Sequence, residues 1–432
     1  MLREWTERLR QRLDPDEDAW RRAQEPVLPI DDLPPPPPQH PARADAQSRA
    51  RARAAVVEAL NPAVPVASRG QLLGREVELA SIFAAISDLR GHALVHGSRG
   101  AGKTSIARAF GDYADERGLL VIYLSCDGGS AGFAELFRPY LDFIPAYEAD
   151  TQAAIAALPA TFGPRALAGV FARLSGQRIV LIVDEFDRVT DPATRADIAT
   201  LVKALTDLHA PVHLLLVGIA RDAHELVLGH PSLRRHLTAV ALRPFGHDSA
   251  NRLLDEAERA AGLVFDAEAR ALVTGLAAGS PYHLRLFAFS AAIAAVERGE
   301  RTVSAAILCE SLPQAFANWA ALNPVAAALF ERLARESAPQ RRRLEALALA
   351  TLHADVLTVD ALDRRIENLG QRGAGGGATD LIDRVRPALA EIGGGGGSGG
   401  GYVFEDTLAP QFLLLACCLA ERGDGMTKRN AA

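Results

Sequence analysis

The chain has 432 residues, 49% hydrophobic and 23% charged, with a formal net charge of −6. That length exceeds what one hydrophobic core holds, so two or three domains are expected, and the acidic balance excludes a chain-wide basic footprint for nucleic acid. The four cysteines, Cys126, Cys309, Cys417 and Cys418, make no C-x-x-C pair and no metal spacing; with no signal peptide read at the start and no apolar run of membrane length, a reduced, cytoplasmic protein away from membranes is the expectation.

Within residues 1–25, Leu2, Trp5, Leu9 and Leu13 are spaced along one helical face, either a surface helix or a helix that docks on a partner. Residues 26–43 contain the run Pro34, Pro35, Pro36, Pro37 and Pro38, which neither helix nor central strand admits, so this stretch is a stiff spacer. A helix is expected over 44–60, ended by Asn61-Pro62. Residues 72–79, Leu-Leu-Gly-Arg-Glu-Val-Glu-Leu, turn at Gly74 into a helix expected to face a core with Val77, Leu79, Ile82, Phe83 and Ile86.

Residues 93–96 form a short buried strand, and residues 97–104 read Gly-Ser-Arg-Gly-Ala-Gly-Lys-Thr. This is G-x-x-x-x-G-K-[ST] between a strand and a helix, the context a phosphate-binding P-loop requires. Glycines at 97, 100 and 102 let successive N–H groups turn inward, and the helix start adds partial positive charge. The loop from Gly97 and Ser98 through Gly100, Ala101 and Gly102 to Lys103, Thr104 and Ser105 is the candidate cradle. Lys103 reaches β- and γ-phosphates and Thr104 offers its hydroxyl to Mg²⁺, so ATP and Mg²⁺ are the expected cofactors.

Residues 118–124 complete a strand–helix–strand unit and imply a parallel sheet buried on both faces. Residues 132–162 alternate helical segments with Pro139, Pro145 and Pro159. At 178–189 an apolar run ends in Asp184 and Glu185, as expected when a buried strand delivers carboxylates to its C-terminal edge. Asp184 suits Mg²⁺ through its water shell, and Glu185 suits a base for the attacking water; Asp187 is a supporting or structural acid. A further strand over 213–222 ends in Gly218-Ile219-Ala220, with Arg221 and Asp222 the nearest polar residues. Residues 249–300 look like a helical lid in which Gly279-Ser280-Pro281 opens a helix. From 303 on, short helices at 324–336, 340–354, 359–369 and 378–391, a glycine-rich loop from Gly393 to Gly401 and Tyr402-Val403-Phe404 make a winged-helix pattern. From Asn323 to the end there are 13 basic and 14 acidic residues, little with which to neutralise phosphates. Arg341-Arg342-Arg343 is a basic cluster expected to be a solvated helix start.

The Gly-Arg-Glu box, the P-loop, the Asp-Glu strand and the Gly-x-Pro lid, in that order over about residues 70–300, resemble AAA+ ATPases of the origin-recognition and STAND-like group. The resemblance implies an α/β fold: a P-loop AAA+ parallel sheet with helices on both faces, a helical lid and a C-terminal winged helix. It implies boundaries of 1–43 for the N-terminal helix and linker, 44–246 for the nucleotide-binding domain, 247–305 for the lid and 306–432 for the winged-helix-like domain. It places Leu73, Gly74 and Arg75 against the base and Pro281 near the nucleotide. Arg235, ahead of Arg234, matches an arginine that enters a neighbour's site. The polar γ-phosphate sensor of these families is missing from 218–220, and Tyr282 stands where their lid arginine would be, with His283 and Arg285 as substitutes to test. Two functions are implied. One is an ATP-hydrolysing switch or motor, oligomeric with ATP, acting on DNA or a DNA-bound partner. The other is a STAND-like signalling regulator whose winged helix contacts protein. In either case an effector encoded elsewhere is the expected output.

Overall fold

The structure is a computed structural model that describes residues 46–64, 72–126, 132–220, 235–352, 356–368, 377–392 and 401–430. The helix expected at 2–13, the proline spacer, Arg221, Asp222, Arg234 and the wing tip lie outside these residues. The chain divides into a sheet unit, Ala63–Phe245, and a helical unit made of Gly246–Ala432 with the segment up to Pro62.

The first described helix, α1 (Ala46–Leu60), belongs to the helical unit. The sheet unit opens with α2 (Glu76–Phe83) and β1 (His92–Gly97). The P-loop then leads into α3 (Lys103–Glu116), followed by β2 (Leu120–Ser125). Next come three short helices, α4 (Phe133–Leu141), α5 (Ala149–Ala156) and α6 (Pro164–Phe171). The unit closes with β3 (Ile179–Asp184), α7 (Pro192–Asp207), β4 (Val212–Ile219) and β5 (Leu237–Ala241).

The five strands pair in the order β2-β3-β4-β1-β5, all parallel. The two strands inside the sheet between β2 and β1, β3 and β4, read as nearly continuous apolar runs because both of their faces are buried. Alternate side chains serve opposite layers. Leu94, Ile122, Leu181, Val183, Leu214 and Leu216 pack with Phe137, Phe171 and Ile198 of α4, α6 and α7. Ala93, Val95, Val180, Ile182, Leu215 and Val217 pack with Ile82, Ile86, Ile106 and Phe110 on the α2–α3 side. The consequence for function is positional. β4 lies between β1, which feeds the P-loop, and β3, which ends in Asp184, so three strand ends converge on one edge. Val77, expected to face a core, is 77% exposed, because the buried stripe of α2 runs through Leu79 and Ile82.

The helical unit continues through α8 (His247–Ala261), β6 (Val264–Phe265), α9 (Ala267–Ala277), α10 (Pro281–Arg298) and β7 (Thr302–Val303). It goes on with α11 (Ala305–Leu322), α12 (Pro324–Glu336), α13 (Ala338–Leu352), α14 (Val359–Asn368) and α15 (Ala378–Val385). The hairpin β8 (Leu389–Ile392) and β9 (Gly401–Phe404) precedes α16 (Ala409–Asn430). An aromatic chain of Phe287, Phe316, Phe412, Trp319, Phe330 and Phe404 joins the core of this unit.

Three sequence expectations change here. Residues 46–60 fall in the helical unit rather than with the nucleotide-binding domain: Val56 and Leu60 are buried, Arg53 pairs with Glu297 at 2.9 Å, and Arg285 Nη1 donates to the Ala59 carbonyl at 3.4 Å. The helix expected to run to 391 stops at Val385, because Pro387 cannot continue it and the chain turns into β8. Arg341 and Arg343 are buried rather than solvated. Arg341 donates to Ala334 O at 3.2 Å, and Arg343 donates to Gly377 O at 3.0 Å and Gln340 Oε1 at 3.4 Å. Of that basic cluster only Arg342 is exposed.

Candidate functional site

The P-loop connects β1 to α3 at the edge where the strands end. Gly102 caps α3 with a φ of 91°, a left-handed conformation glycine adopts without strain. At Gly97 the constraint is space: a Cβ there would lie 2.8 Å from the carbonyl oxygen of Leu242. The turn leaves the first N–H groups of α3, at Lys103, Thr104 and Ser105, without partners inside the helix, which is how a helix start receives an anion. Lys103 Nζ donates to the carbonyls of Gly97 at 3.0 Å and Ser98 at 2.7 Å. Burial lowers its pKa to about 8, against the opposing pull of the Asp187 and Asp184 carboxylates. The ammonium is thus folded back over the loop that its own backbone carbonyls line.

Thr104 and Asp184 meet as the sequence expected. Thr104 Oγ1 donates to Asp184 Oδ2 at 3.0 Å, joining α3 to the end of β3. Asp184 is 4% exposed. Its Oδ1 accepts from the Glu185 amide at 2.8 Å, and its Oδ2 accepts a second hydrogen bond from the Tyr123 hydroxyl. Burial, and then this hydrogen bond, push the Tyr123 pKa up. A hydroxyl and a carboxylate held together beside a phosphate cradle are the hard oxygen donors that Mg²⁺ takes with several waters retained, so the residues present fit that ion.

Glu185 has a φ of 57°, a left-handed conformation unusual for a residue with a long side chain. It is fixed there by the 3₁₀ turn Phe186–Arg188 that follows. Its carboxylate is 40% exposed and pairs with Arg188 at 3.1 Å. Asp187, from the same turn, accepts from the Ile219 amide at 2.7 Å and so reaches the tip of β4.

Arg75 is 4% exposed and its guanidinium faces inward. It pairs with Glu78 at 2.8 Å, donates to Ala101 O at 3.1 Å and Arg243 O at 2.7 Å, and lies 4.8 Å over the Phe245 ring. Its two terminal nitrogens hold the P-loop against the chain leaving β5. Gly74 supplies the turn before it, at a φ of 68°.

Of the remaining candidates, Arg235 belongs to the sheet unit and Pro281, His283 and Arg285 to the helical unit. Arg235 is exposed just before β5. Pro281 is the first residue of α10, behind a Ser280 cap that accepts from the His283 amide. His283 and Arg285 are taken up inside the helical unit. His283 Nε2 meets Thr407 Oγ1 at 3.2 Å and its Nδ1 meets Gln411 Nε2 at 3.1 Å. Arg285 is committed to α1. The donor role of Tyr123 and the bond of Asp187 to the Ile219 amide were not read from the sequence, where Asp187 stood only as a supporting or structural acid. Both follow from register and turn geometry, and the only signal was a polar residue in an apolar strand and a third acid after β3.

Residues 71–217 match the family model of the AAA ATPase domain. Among solved structures, a Walker-type ATPase of Pyrococcus abyssi is 16% identical, with 81% of this chain and 98% of that chain covered and a TM-score of 0.46. The ORC2 protein of Aeropyrum pernix, in ADPNP–ADP complexes, is 15% identical over 84% and 97% of the two chains, with a TM-score of 0.45. Drosophila ORC bound to DNA is 16% identical over 92% and 98%, with a TM-score of 0.44. No curated protein matches the chain. Among the described residues, no helix is long and apolar enough to cross a membrane.

Proposed function

We propose that this chain, which carries an AAA ATPase domain over residues 71–217, binds ATP with Mg²⁺, hydrolyses it, and works as an oligomer-forming switch on a protein partner that can itself be DNA-bound. The observation that carries the hydrolytic reading is the 3.0 Å hydrogen bond between Thr104 and Asp184 beside the Lys103 cradle. It brings together, from two separate elements, the side chains a P-loop hydrolase needs at the metal.

In this reading the P-loop amides and Lys103 hold the β- and γ-phosphates, and Thr104 and Asp184 hold Mg²⁺. Bound there, the ion would supply charge neutralisation to the phosphates. Glu185 leaves Arg188 and accepts a proton from water. The water oxygen bonds to the γ-phosphorus, the bridging bond breaks, and ADP leaves with its electron pair. Arg235, exposed on its own subunit, completes a neighbour's site, where such an arginine is worth roughly 10³–10⁵ in rate. Arg75 ties the P-loop to the backbone at Arg243 and to the Phe245 ring. We place the chain with the origin-recognition and STAND-like ATPases on the order of these motifs.

The choice of a protein partner rests on the C-terminal charges. In the winged-helix-like region, Arg384 is held by both oxygens of Glu336 at 2.6 Å. Arg386 is held by Asp383 at 2.8 Å and lies 3.7 Å from Glu391. Together with the burial of Arg341 and Arg343, this takes four basic side chains away from phosphate contact. Fluorescence anisotropy of a labelled duplex against the full chain with ATP, at 50 and 200 mM salt, tests the choice. No saturable binding at either salt is expected. Binding that falls steeply with salt would favour direct action on DNA.

A further inference from the structure

β2 and β3 pair so that Tyr123 lies opposite Ile182 and Ser125 opposite Asp184. Tyr123 and Asp184 are therefore diagonal neighbours on one face of the sheet, a separation an aromatic side chain spans. The ring is packed against the α2–α3 layer of the core, with the Arg108 guanidinium 5.7 Å from its centroid. Its hydroxyl is thereby aimed at the carboxylate. Asp184 receives donors from three places: Thr104 on α3, the Glu185 amide at its own strand end, and Tyr123 on β2. The Thr104 hydroxyl is also the group that Mg²⁺ would claim. When Thr104 turns to the ion, Tyr123 is the side chain that continues to fix the carboxylate.

We propose that Tyr123 is a positioning residue whose hydroxyl holds Asp184 in the orientation that receives Mg²⁺, so that it sets the metal dependence of nucleotide binding without touching nucleotide or metal. The proposal rests on the reading of the site as an Mg²⁺–ATP site. A residue that orients a metal-binding side chain from behind is typically worth about 10–100-fold in metal affinity. Because Asp184 acts on the ion through water, the lower end applies.

The test is a Mg²⁺ titration of fluorescent mant-ATP binding to the full chain, with a parallel measurement in EDTA. Tyr123→Phe keeps the ring and removes the hydroxyl. The expected result is roughly 10-fold more Mg²⁺ for half-maximal binding, with binding in EDTA close to wild type. In an Asp184→Ala background the same change is expected to add nothing, because the hydroxyl acts through that carboxylate. Superimposed wild-type and Tyr123→Phe titrations would overturn the proposal. So would an equal loss in the Asp184→Ala background, which would make Tyr123 a packing residue only. A wild-type chain that binds no mant-ATP with or without Mg²⁺ overturns the ATP reading as well, and is distinguishable from either of those results.

Discussion

Asp187 Oδ1 accepts a 2.7 Å hydrogen bond from the backbone amide of Ile219. The tip of β4 carries Gly218, Ile219 and Ala220, and Asp187 ties that tip to the turn behind Asp184 and Glu185. Asp187 is also the carboxylate with the largest effect on Lys103. One acid thus links the phosphate lysine, the acidic turn and the central strand. Asp187→Ala removes a charge-assisted hydrogen bond worth about 1–2 kcal/mol. Differential scanning calorimetry is expected to show the sheet-unit transition lowered by roughly 2–8 °C, and steady-state turnover is expected to fall at least several-fold.

Arg75 makes a sharper prediction because its partners are backbone carbonyls. Arg75→Ala strands Ala101 O and Arg243 O and removes the contact to Phe245. Loss of one member of such a buried charged cluster costs about 3 kcal/mol, or roughly 6–12 °C for a unit of this size. Arg75→Lys is expected to recover little, since an ammonium cannot fork to two carbonyls in different directions. Thermal melts with and without ATP check both variants. The loss of ATP affinity should follow the loss of stability, as it would not for a residue that only contacts the base.

Three buried histidines set the acid limit. His92 lies mainly by burial at a pKa of about 3, with His213 and His236 adding to the shift, and its Nδ1 accepts from the Leu214 amide at 2.9 Å. His213 is lowered to about 4 by burial, against its hydrogen bond to Gly91 O. His283 is lowered to about 4 by burial, with Asp406 opposing. All three are neutral in the fold, whereas the unfolded chain binds protons below about 6.5. Stability is therefore full above that value and declines as pH falls toward 4, by about 1.4 kcal/mol per pH unit for each histidine. Because His283 belongs to the helical unit and the other two to the sheet unit, melts between pH 7 and 5 should show both transitions moving down.

What could be read in advance was what is local in the chain. The P-loop, the Asp184-Glu185 strand end and the Gly-Ser-Pro helix start each complete their geometry within a dozen residues, and all lie on the elements expected. What was missed depends on distant partners. The inward bonds of Arg75 were not legible because Arg243 and Phe245 return to it from far along the chain. Arg341 and Arg343 looked solvated because a charge run does not reveal that Ala334 and Gly377 take up its guanidiniums. Tyr123 is one hydroxyl in an apolar strand until the register with β3 puts Asp184 beside it. The first helix gave no sign that it packs on α8 and α10, since its own stripe is weak and its partners lie some two hundred residues on.

In the proposed function, Glu185 of one subunit and Arg235 of its neighbour complete one hydrolytic site. The direct test is ATP turnover per subunit against protein concentration, for wild type, Glu185→Gln, Arg235→Ala and an equimolar mixture of the two variants. The account predicts that wild-type turnover rises with concentration and that each variant alone loses at least about 100-fold while still binding ATP. It also predicts that the mixture recovers part of the rate, because an intact Glu185 in the Arg235→Ala subunit meets an intact Arg235 from its neighbour. Turnover independent of concentration, unchanged in Arg235→Ala and not restored by mixing would contradict it.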